Sequence, residues 1–245
     1  MGGIFYNLGK MAGPVVRKGK WFLKSLTGSE ADVIRAEFEV GRDMAHAVGQ
    51  EVQVDSDPAT GRLLDEAGAR LVRRLTNRQR TFAFRALRSA EVNAFALPGG
   101  FIFVTRALLE LCEWDRDETA FILAHEMAHV VRGHAMDRIM NSAVVTMASK
   151  TGVAANVMRH RLVELGLRLL HKAYSQDQEL EADAFGVRLA RSAGFDPRAA
   201  IRVLRKLEAK GDARDDSALG AYLSSHPPIE LRMTELSRLL RRKVV

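Results

Sequence analysis

The sequence predicts an α+β fold that is mostly helical, with one small β-sheet just before the helix that carries the most informative motif. Apolar residues recur at helical spacing through most of the chain. Between residues 81 and 104 they instead alternate or form short runs, as strands do. Hydrophobic residues make up 47% of the chain and charged residues 27%, which is typical of a packed globular protein.

The first two predicted elements are helices. Ser29 is the expected N-cap of a helix that runs to about Gly49, because the apolar residues between them fall on one helical face. A second helix is predicted over residues 59–76, where leucine and alanine form a continuous apolar stripe.

Three short segments then predict strands. Residues 81–87 alternate between apolar and polar side chains, and residues 92–97 and 101–104 are two further apolar runs. A Pro-Gly-Gly turn at 98–100 separates the last two runs. We therefore expect these two strands to form a hairpin.

The remainder of the chain is predicted to be helical. Asp115 and Glu118 form the expected capping box of the helix that carries the motif described below. Further helices are predicted over about 153–174 and 177–193, and a last one follows the two prolines at 227–228.

Residues 1–28 differ in composition from the rest, being rich in glycine and interleaving basic with aromatic side chains. We therefore divide the chain into a basic N-terminal arm, residues 1–28, and one domain, residues 29–245. Such an arm either binds an anionic membrane surface or packs on the domain, and the sequence leaves both possibilities open. Lys and Arg outnumber Asp and Glu by 37 to 30, but no nucleic-acid-binding motif accompanies the excess, so we expect no nucleic-acid partner.

The sequence contains neither a recognisable secretory signal nor a membrane-spanning stretch. The apolar residues from Ile4 to Val16 are interrupted by asparagine, lysine and glycine. No segment reaches the roughly 18–20 apolar residues that a spanning helix needs. We therefore expect a cytoplasmic location, with membrane association through the arm as the alternative.

The most informative segment is an HExxH pattern formed by His125, Glu126 and His129. Residues four apart lie on one face of a helix, so both imidazoles can bind the same metal ion. Glu126 lies beside the first ligand, where its carboxylate can take a proton from water. Two imidazoles with a carboxylate and an open position are typical of catalytic zinc, so we predict one Zn²⁺ per chain and Glu126 as general base.

The third ligand is less well determined by the residues alone. Glu179 and Asp183 also lie four apart, so a glutamate can bind zinc while an aspartate one turn later hydrogen-bonds a ligand imidazole. Other carboxylates remain candidates on this reasoning. His134 is expected to face away from His125, because it lies about 180° further around the helix. Glu181 is expected to be solvated.

Several segments occur in a fixed order over about residues 60–240. They are Asn93–Gly100, the HExxH pattern with Arg132 and His134, Tyr174-Ser175 before Glu179, Glu181-Ala182-Asp183, and Ser225-His226-Pro227-Pro228 with Arg232. In these segments the chain resembles the CAAX prenyl protease type 1 and HtpX-like zinc metallopeptidases of the gluzincin class, and among them the short quality-control members.

The resemblance implies a zincin-type metallopeptidase domain with Glu179 as the third zinc ligand and Asp183 supporting the ligands from behind. It also implies that His226 lies near the metal.

The same resemblance places a substrate-binding strand at Asn93, Ala94 and Phe95. An extended substrate would pair with this strand, since an edge strand recognises backbone rather than sequence. The expected reaction is hydrolysis of peptide bonds in extended or misfolded proteins, as in protein quality control. The alternative is a latent or inactive peptidase fold that serves as a chaperone or scaffold.

His226 has two possible roles under this interpretation. As a hydrogen-bond donor it would stabilise the oxyanion that forms when water attacks the substrate. As a fourth zinc ligand it would keep the enzyme latent until its loop moves.

Overall fold

The computed structural model describes residues 29–138, 174–211, 226 and 229–241. The predicted N-terminal arm, residues 1–28, lies outside the described residues, as does the predicted helix over 153–174 except for Tyr174. The division of the chain into an arm and a domain therefore stays a prediction.

The described part is an α+β fold, mainly helical with one small sheet, as predicted. Its elements are α1 (Glu30–Glu51), α2 (Pro58–Val72), β1 (Ala83–Leu87), β2 (Ala94–Leu97), β3 (Phe101–Thr105), α3 (Arg106–Leu111), α4 (Arg116–Val131), α5 (Gln176–Ser192), α6 (Ala199–Gly211) and α7 (Ile229–Arg241). Among these residues, no helix combines the length and the apolar character needed to cross a membrane.

Side chains at the helix starts fix where the helices begin. Ser29 caps α1 in a capping box with Asp32. Asp115 caps α4 by accepting hydrogen bonds from the backbone N–H groups of the second and third helical residues. The predicted capping box of α4 is only half right, because Glu118 does not reach back to Asp115. Its carboxylate instead pairs with Arg202, 3.1 Å away on α6.

The sheet has the strand order β1-β3-β2, with β3 parallel to β1 and antiparallel to β2. Ala94 pairs with Val104 and Leu97 with Phe101, so the predicted hairpin is confirmed. Its connection is a short 3₁₀ turn, Pro98–Gly100. Strand β2 is therefore an edge strand of the sheet within the described residues.

Helix α4 lies at the centre of the larger hydrophobic core. Every residue from Glu118 to Val130 is buried, so the helix has no solvent-facing side over this length. It packs against α2, α5 and α6 and beside β2. Polar side chains on such a helix need partners inside the protein, because burying an unpaired polar group is unfavourable. This condition applies to all three residues of the HExxH pattern.

Helix α1 packs over a second hydrophobic cluster and against the turn that follows β2. The contact is close at Gly41, where a Cβ atom would lie 1.7 Å from the carbonyl oxygen of Pro98. A side chain at this position therefore cannot fit unless α1 or the turn moves. Gly49, on the same helix, has no atom within 4 Å of where its Cβ would lie.

We expect Gly41→Ala to lower the free energy of unfolding by about 1–3 kcal/mol, the usual cost of forcing atoms into a packed contact. The control Gly49→Ala should raise it by roughly 0.5–1 kcal/mol, because alanine loses less backbone entropy in a helix. Urea unfolding followed by circular dichroism measures both. Equal stability of the two variants would show that α1 does not pack tightly on the turn.

Candidate metal centre

The two histidines of the HExxH pattern lie side by side on the buried helix α4. Their Nε2 atoms are 3.2 Å apart, so both rings present the same nitrogen to one point. Both side chains are buried. The four-residue spacing in a regular helix produces this arrangement, since α4 continues without interruption through His125 and His129.

Helix α5 brings a carboxylate to the same point. Ser175 caps α5 in a capping box with Gln178, which places Glu179 in the first turn. The Glu179 side chain is fully buried, with Oε1 3.3 Å from Nε2 of His129 and Oε2 3.6 Å from Nε2 of His125. Among the described residues, Glu179 is the carboxylate that could bind the same metal ion as the two histidines.

His226 reaches the cluster from a different part of the chain. Its Nδ1 lies 2.8 Å from Oε1 of Glu179, and its Nε2 lies 3.7 Å from Oε1 of Glu126. The possible ligand atoms of His125, His129, Glu179 and His226 all lie within 4.8 Å of one another. The structure therefore brings His226 next to the three residues that the sequence analysis assigned to the metal.

The chemistry of this group fits a zinc ion. Imidazole nitrogen and carboxylate oxygen are preferred zinc ligands, and three protein ligands are typical of a catalytic site. Glu126 is buried beside them, and its Oε2 makes no hydrogen bond in the part of the chain that the structure describes. A buried carboxylate oxygen without a partner is costly, and such an atom in a native protein usually serves a ligand or a reaction.

Asp183 lies one turn after Glu179 on α5. It contacts His125 at the ring nitrogen opposite to the one that faces Glu179. Its Oδ1 is 2.9 Å from Nδ1 of His125. A hydrogen on Nδ1 of His125 would face this carboxylate, and Nε2 would then be free to bind a metal. The structure thus brings Asp183 to the position from which it can fix this tautomer.

Arg232 on α7 connects the two carboxylates of α5. Its guanidinium binds Asp183 at two points, with Nε and Nη2 each 2.8 Å from a carboxylate oxygen, and its Nη1 lies 3.0 Å from Oε2 of Glu179. Arg232 is itself buried. In the sequence Arg232 stands out only as part of the resemblance, and nothing in its spacing identifies it as the partner of Asp183.

These contacts shift the pKa values of the candidate ligands and of Asp183. Burial raises the pKa of Glu179, but the contacts with His226 and Arg232 outweigh this effect and hold the pKa well below its ordinary value. Burial likewise raises the pKa of Asp183, and Arg232 outweighs it, so this pKa is also lowered. Burial lowers the pKa of His129 well below its ordinary value, so its ring is neutral near pH 7. For His125 the contacts with Asp183 and Glu179 outweigh burial and raise the pKa. A carboxylate anion and a neutral imidazole are the forms that bind metal.

His134 is not among the possible metal ligands in the described residues, as predicted, but its ring is not turned away from the histidines of α4. Its Nδ1 lies 3.1 Å from Nδ1 of His129. The predicted orientation was wrong because it extended one helix through this position, whereas α4 ends at Val131 and Gly133 has a φ of 79°. The chain therefore turns before His134. Glu181 is exposed, as expected, and its Oε2 lies 3.3 Å from Nε2 of His134.

Tyr174 covers the other side of His129. The two rings are stacked, with centroids 3.7 Å apart and an angle of 14° between the planes. Tyr174 is buried, and burial raises the pKa of its hydroxyl above the ordinary value. Its aromatic ring therefore helps to exclude water from the His129 side of the centre.

The predicted substrate-binding strand is only partly directed toward the centre. Asn93 precedes β2, and its buried Oδ1 makes no hydrogen bond within the described residues. Ala94 lines a cavity of about 10 Å³ together with His125 and Glu126. The side chain of Phe95 points elsewhere, since it stacks on Phe103 in the second hydrophobic cluster.

The sequence pattern of peptidase family M48 matches residues 58–240. The chain is 34% identical over 158 residues to the mitochondrial metalloendopeptidase OMA1 of Schizosaccharomyces pombe, covering 63% of this chain and 45% of that protein. It is 27% identical over 213 residues to the beta-barrel assembly-enhancing protease of Escherichia coli K12, covering 82% of this chain and 43% of that protein.

A third relative is the metalloprotease LoiP of Escherichia coli K12, 30% identical over 147 residues, or 58% of each chain. The matched region thus spans less than half of the first two relatives and somewhat more than half of the third.

We expect Arg232→Met to lower the free energy of unfolding of the metal-free protein by about 3–5 kcal/mol, because it leaves two buried carboxylates without their cation. The control is Arg238→Met on the same helix, where an exposed arginine pairs with Glu235. This variant should change stability by less than about 0.5 kcal/mol. Similar stability of both variants in urea unfolding would contradict the central role of Arg232.

The same arrangement predicts sensitivity to acid. The pKa values of Glu179 and Asp183 are lowered in the folded protein. Their contribution to stability is therefore complete above the unfolded-state pKa of about 4 and is lost as the pH falls through the folded-state values. In the Arg232→Met variant this acid-dependent loss should be smaller, and urea unfolding at a series of pH values measures it.

Proposed function

We propose that this chain, which belongs to peptidase family M48, is a zinc-dependent endopeptidase that hydrolyses peptide bonds in extended or misfolded proteins. The observation that carries the proposal is the unpartnered, buried carboxylate oxygen of Glu126 beside the donor atoms of His125, His129 and Glu179. An oxygen in this position can accept a proton from water at the place where a metal ion would hold the substrate carbonyl.

We assign the zinc ligands to His125, His129 and Glu179, with one zinc ion per chain. When bound, zinc supplies a Lewis acid that polarises the substrate carbonyl and makes water acidic enough to react near neutral pH. The neutral ring of His129 and the ionised carboxylate of Glu179 are already in the forms that such binding requires. Asp183 holds the hydrogen on Nδ1 of His125 and so directs Nε2 toward the metal.

Glu126 acts as the general base in this proposal. It takes a proton from the attacking water and later delivers it to the leaving amine. The burial of Glu126 supports this role, because a carboxylate shielded from bulk water exchanges its proton with the reactants rather than with solvent.

The substrate is proposed to bind as an extended strand along β2. Strand β2 is one of the two edge strands of the described sheet and lies beside α4. The backbone around Ala94 and Phe95 can pair with a peptide, and the unpartnered Oδ1 of Asn93 can accept a hydrogen bond from its amide group. Recognition through backbone atoms favours broad specificity, which suits misfolded substrates and a role in protein quality control.

The basic arm, residues 1–28, is proposed as a separate segment that binds an anionic membrane surface. Within the family, a place among the CAAX prenyl protease type 1 and HtpX-like members remains a prediction. The alternative to an active enzyme is an inactive peptidase fold that binds proteins as a chaperone or scaffold.

Glu126→Gln tests the proposed function. We expect hydrolysis of unfolded casein to fall by roughly 10²–10⁴-fold, the usual contribution of a general base. Zinc content should stay at one per chain, because the metal ligands are intact. The matched control is Glu66→Gln at an exposed position of α2, which should leave hydrolysis unchanged. Absence of hydrolysis by both the wild-type protein and His226→Ala, each at full zinc content, would instead favour the inactive scaffold.

For His226 we propose the role of a fourth zinc ligand that holds the enzyme latent. One of its ring nitrogens lies within the group of possible ligand atoms, which supports this role. His226→Ala should then raise the rate of casein hydrolysis with one zinc ion still bound. His226→Asn should also raise it, since an amide is a poor zinc ligand but keeps a hydrogen-bond donor.

An oxyanion-stabilising His226 makes the opposite prediction. His226→Ala would then lower the rate by about 10²-fold, and His226→Asn would restore part of it. A rate unchanged in both variants would leave His226 with neither role.

A further inference from the structure

The two proposed histidine ligands on α4 differ in what their Nδ1 atoms contact. Nδ1 of His125 lies 2.9 Å from a carboxylate oxygen of Asp183. Nδ1 of His129 lies 3.1 Å from Nδ1 of His134. His134 is in turn 3.3 Å from Oε2 of Glu181 through its Nε2. One ligand thus contacts a carboxylate directly, whereas the other contacts a second imidazole that contacts a carboxylate.

The hydrogen positions in the series of contacts from His129 through His134 to Glu181 can be assigned by starting at His129. A His129 ring that binds a metal through Nε2 can carry its hydrogen only on Nδ1. That N–H points at Nδ1 of His134, which must therefore accept. The hydrogen of the neutral His134 ring then lies on Nε2, where it donates to Glu181. Each of these nitrogen and oxygen atoms is then either a donor or an acceptor, and no two donors face each other.

We propose that His134 and Glu181 form a hydrogen-bond relay that fixes the tautomer and orientation of His129, so that His134 is a positioning residue of the metal centre. The proposal rests on the function proposed above, in which His129 binds zinc. Arg132 completes the relay at the surface, with Nε 3.0 Å from Oε1 of Glu181.

The surroundings of His134 favour this role over that of a ligand. Its donor atoms are not among the group that can share one ion in the described part of the chain. Its Nδ1 lies behind His129, at the nitrogen opposite to the one that faces the centre. His134 is buried, whereas Glu181 is about half exposed. The relay therefore connects a buried ligand to a carboxylate at the surface.

The experiment measures zinc affinity, which does not depend on catalysis. Zinc dissociation constants are obtained by competition with a chromophoric chelator for the wild type, His134→Ala and His134→Asn. Asparagine places a carbonyl oxygen near the position of Nδ1, so it keeps an acceptor for His129. We expect His134→Ala to weaken zinc binding by about 10–100-fold, as is usual when the partner of a ligand histidine is lost. His134→Asn should restore most of the affinity.

Two further variants complete the comparison. Glu181→Ala should weaken zinc binding less than His134→Ala, because it acts one hydrogen bond further from the metal. His46→Ala removes an exposed imidazole of α1 and should leave the affinity unchanged. Circular dichroism of the metal-free proteins checks that each is folded. If His134→Ala does not fold, the comparison of His134→Asn with Glu181→Ala decides. Near-wild-type affinity in His134→Asn together with weaker zinc binding in Glu181→Ala supports the relay. Wild-type affinity in Glu181→Ala overturns it.

The tautomers give a second measurement. In the zinc-loaded wild type, long-range ¹H–¹⁵N spectra should show the hydrogen on Nδ1 of His129 and on Nε2 of His134. A hydrogen on Nδ1 of His134 would overturn the proposal, as would equal loss of affinity in His134→Ala and His134→Asn, or wild-type affinity in His134→Ala. Absence of zinc binding by the wild type would instead overturn the proposed function itself.

Discussion

The centre depends on keeping two carboxylates, Glu179 and Asp183, ionised where almost no water reaches them. A buried ion costs several kcal/mol of free energy unless opposite charges and hydrogen bonds surround it. The guanidinium of Arg232 contacts both carboxylates, the imidazole of His226 hydrogen-bonds Glu179, and Nδ1 of His125 lies 2.9 Å from Asp183. One pair of negative charges thus ties together α4, α5, α7 and residue 226, which are distant in sequence.

The close packing of α5 on α4 makes this arrangement possible. At Gly186 a Cβ atom would lie 3.1 Å from the backbone nitrogen of His125, so the two helices touch backbone to backbone near the first proposed ligand. A larger side chain would push α5 outward and lengthen the contacts of Glu179 with both histidines. Because α4 is buried on all sides, its polar residues have no alternative partners in solvent.

Helix α5 contributes to the centre through three acidic residues in less than two turns. Glu179 and Asp183, one turn apart, face α4 and contact its histidines. Glu181 lies between them on the flank of the helix and contacts His134 instead. A single helix therefore presents one proposed ligand and the groups behind two others, so any shift of α5 relative to α4 would alter all three contacts together.

Much of this could be predicted because it is local in the chain. The four-residue spacing of His125 and His129, the Pro-Gly-Gly turn of the hairpin and the caps at Ser29 and Asp115 each depend on a few neighbouring residues. Local geometry follows from backbone dihedral preferences, which the sequence itself specifies.

Contacts between distant segments could not be predicted from spacing. Arg232 binds Asp183 across 49 residues, and only the packing of α7 on α5 brings them together. His134 was misplaced because one residue, Gly133, ends the helical periodicity on which the prediction relied. The sequence alone determined which residues share a helix face, whereas the tertiary structure decided which faces meet, because burial and charge pairing depend on distances in space that positions along a chain do not contain.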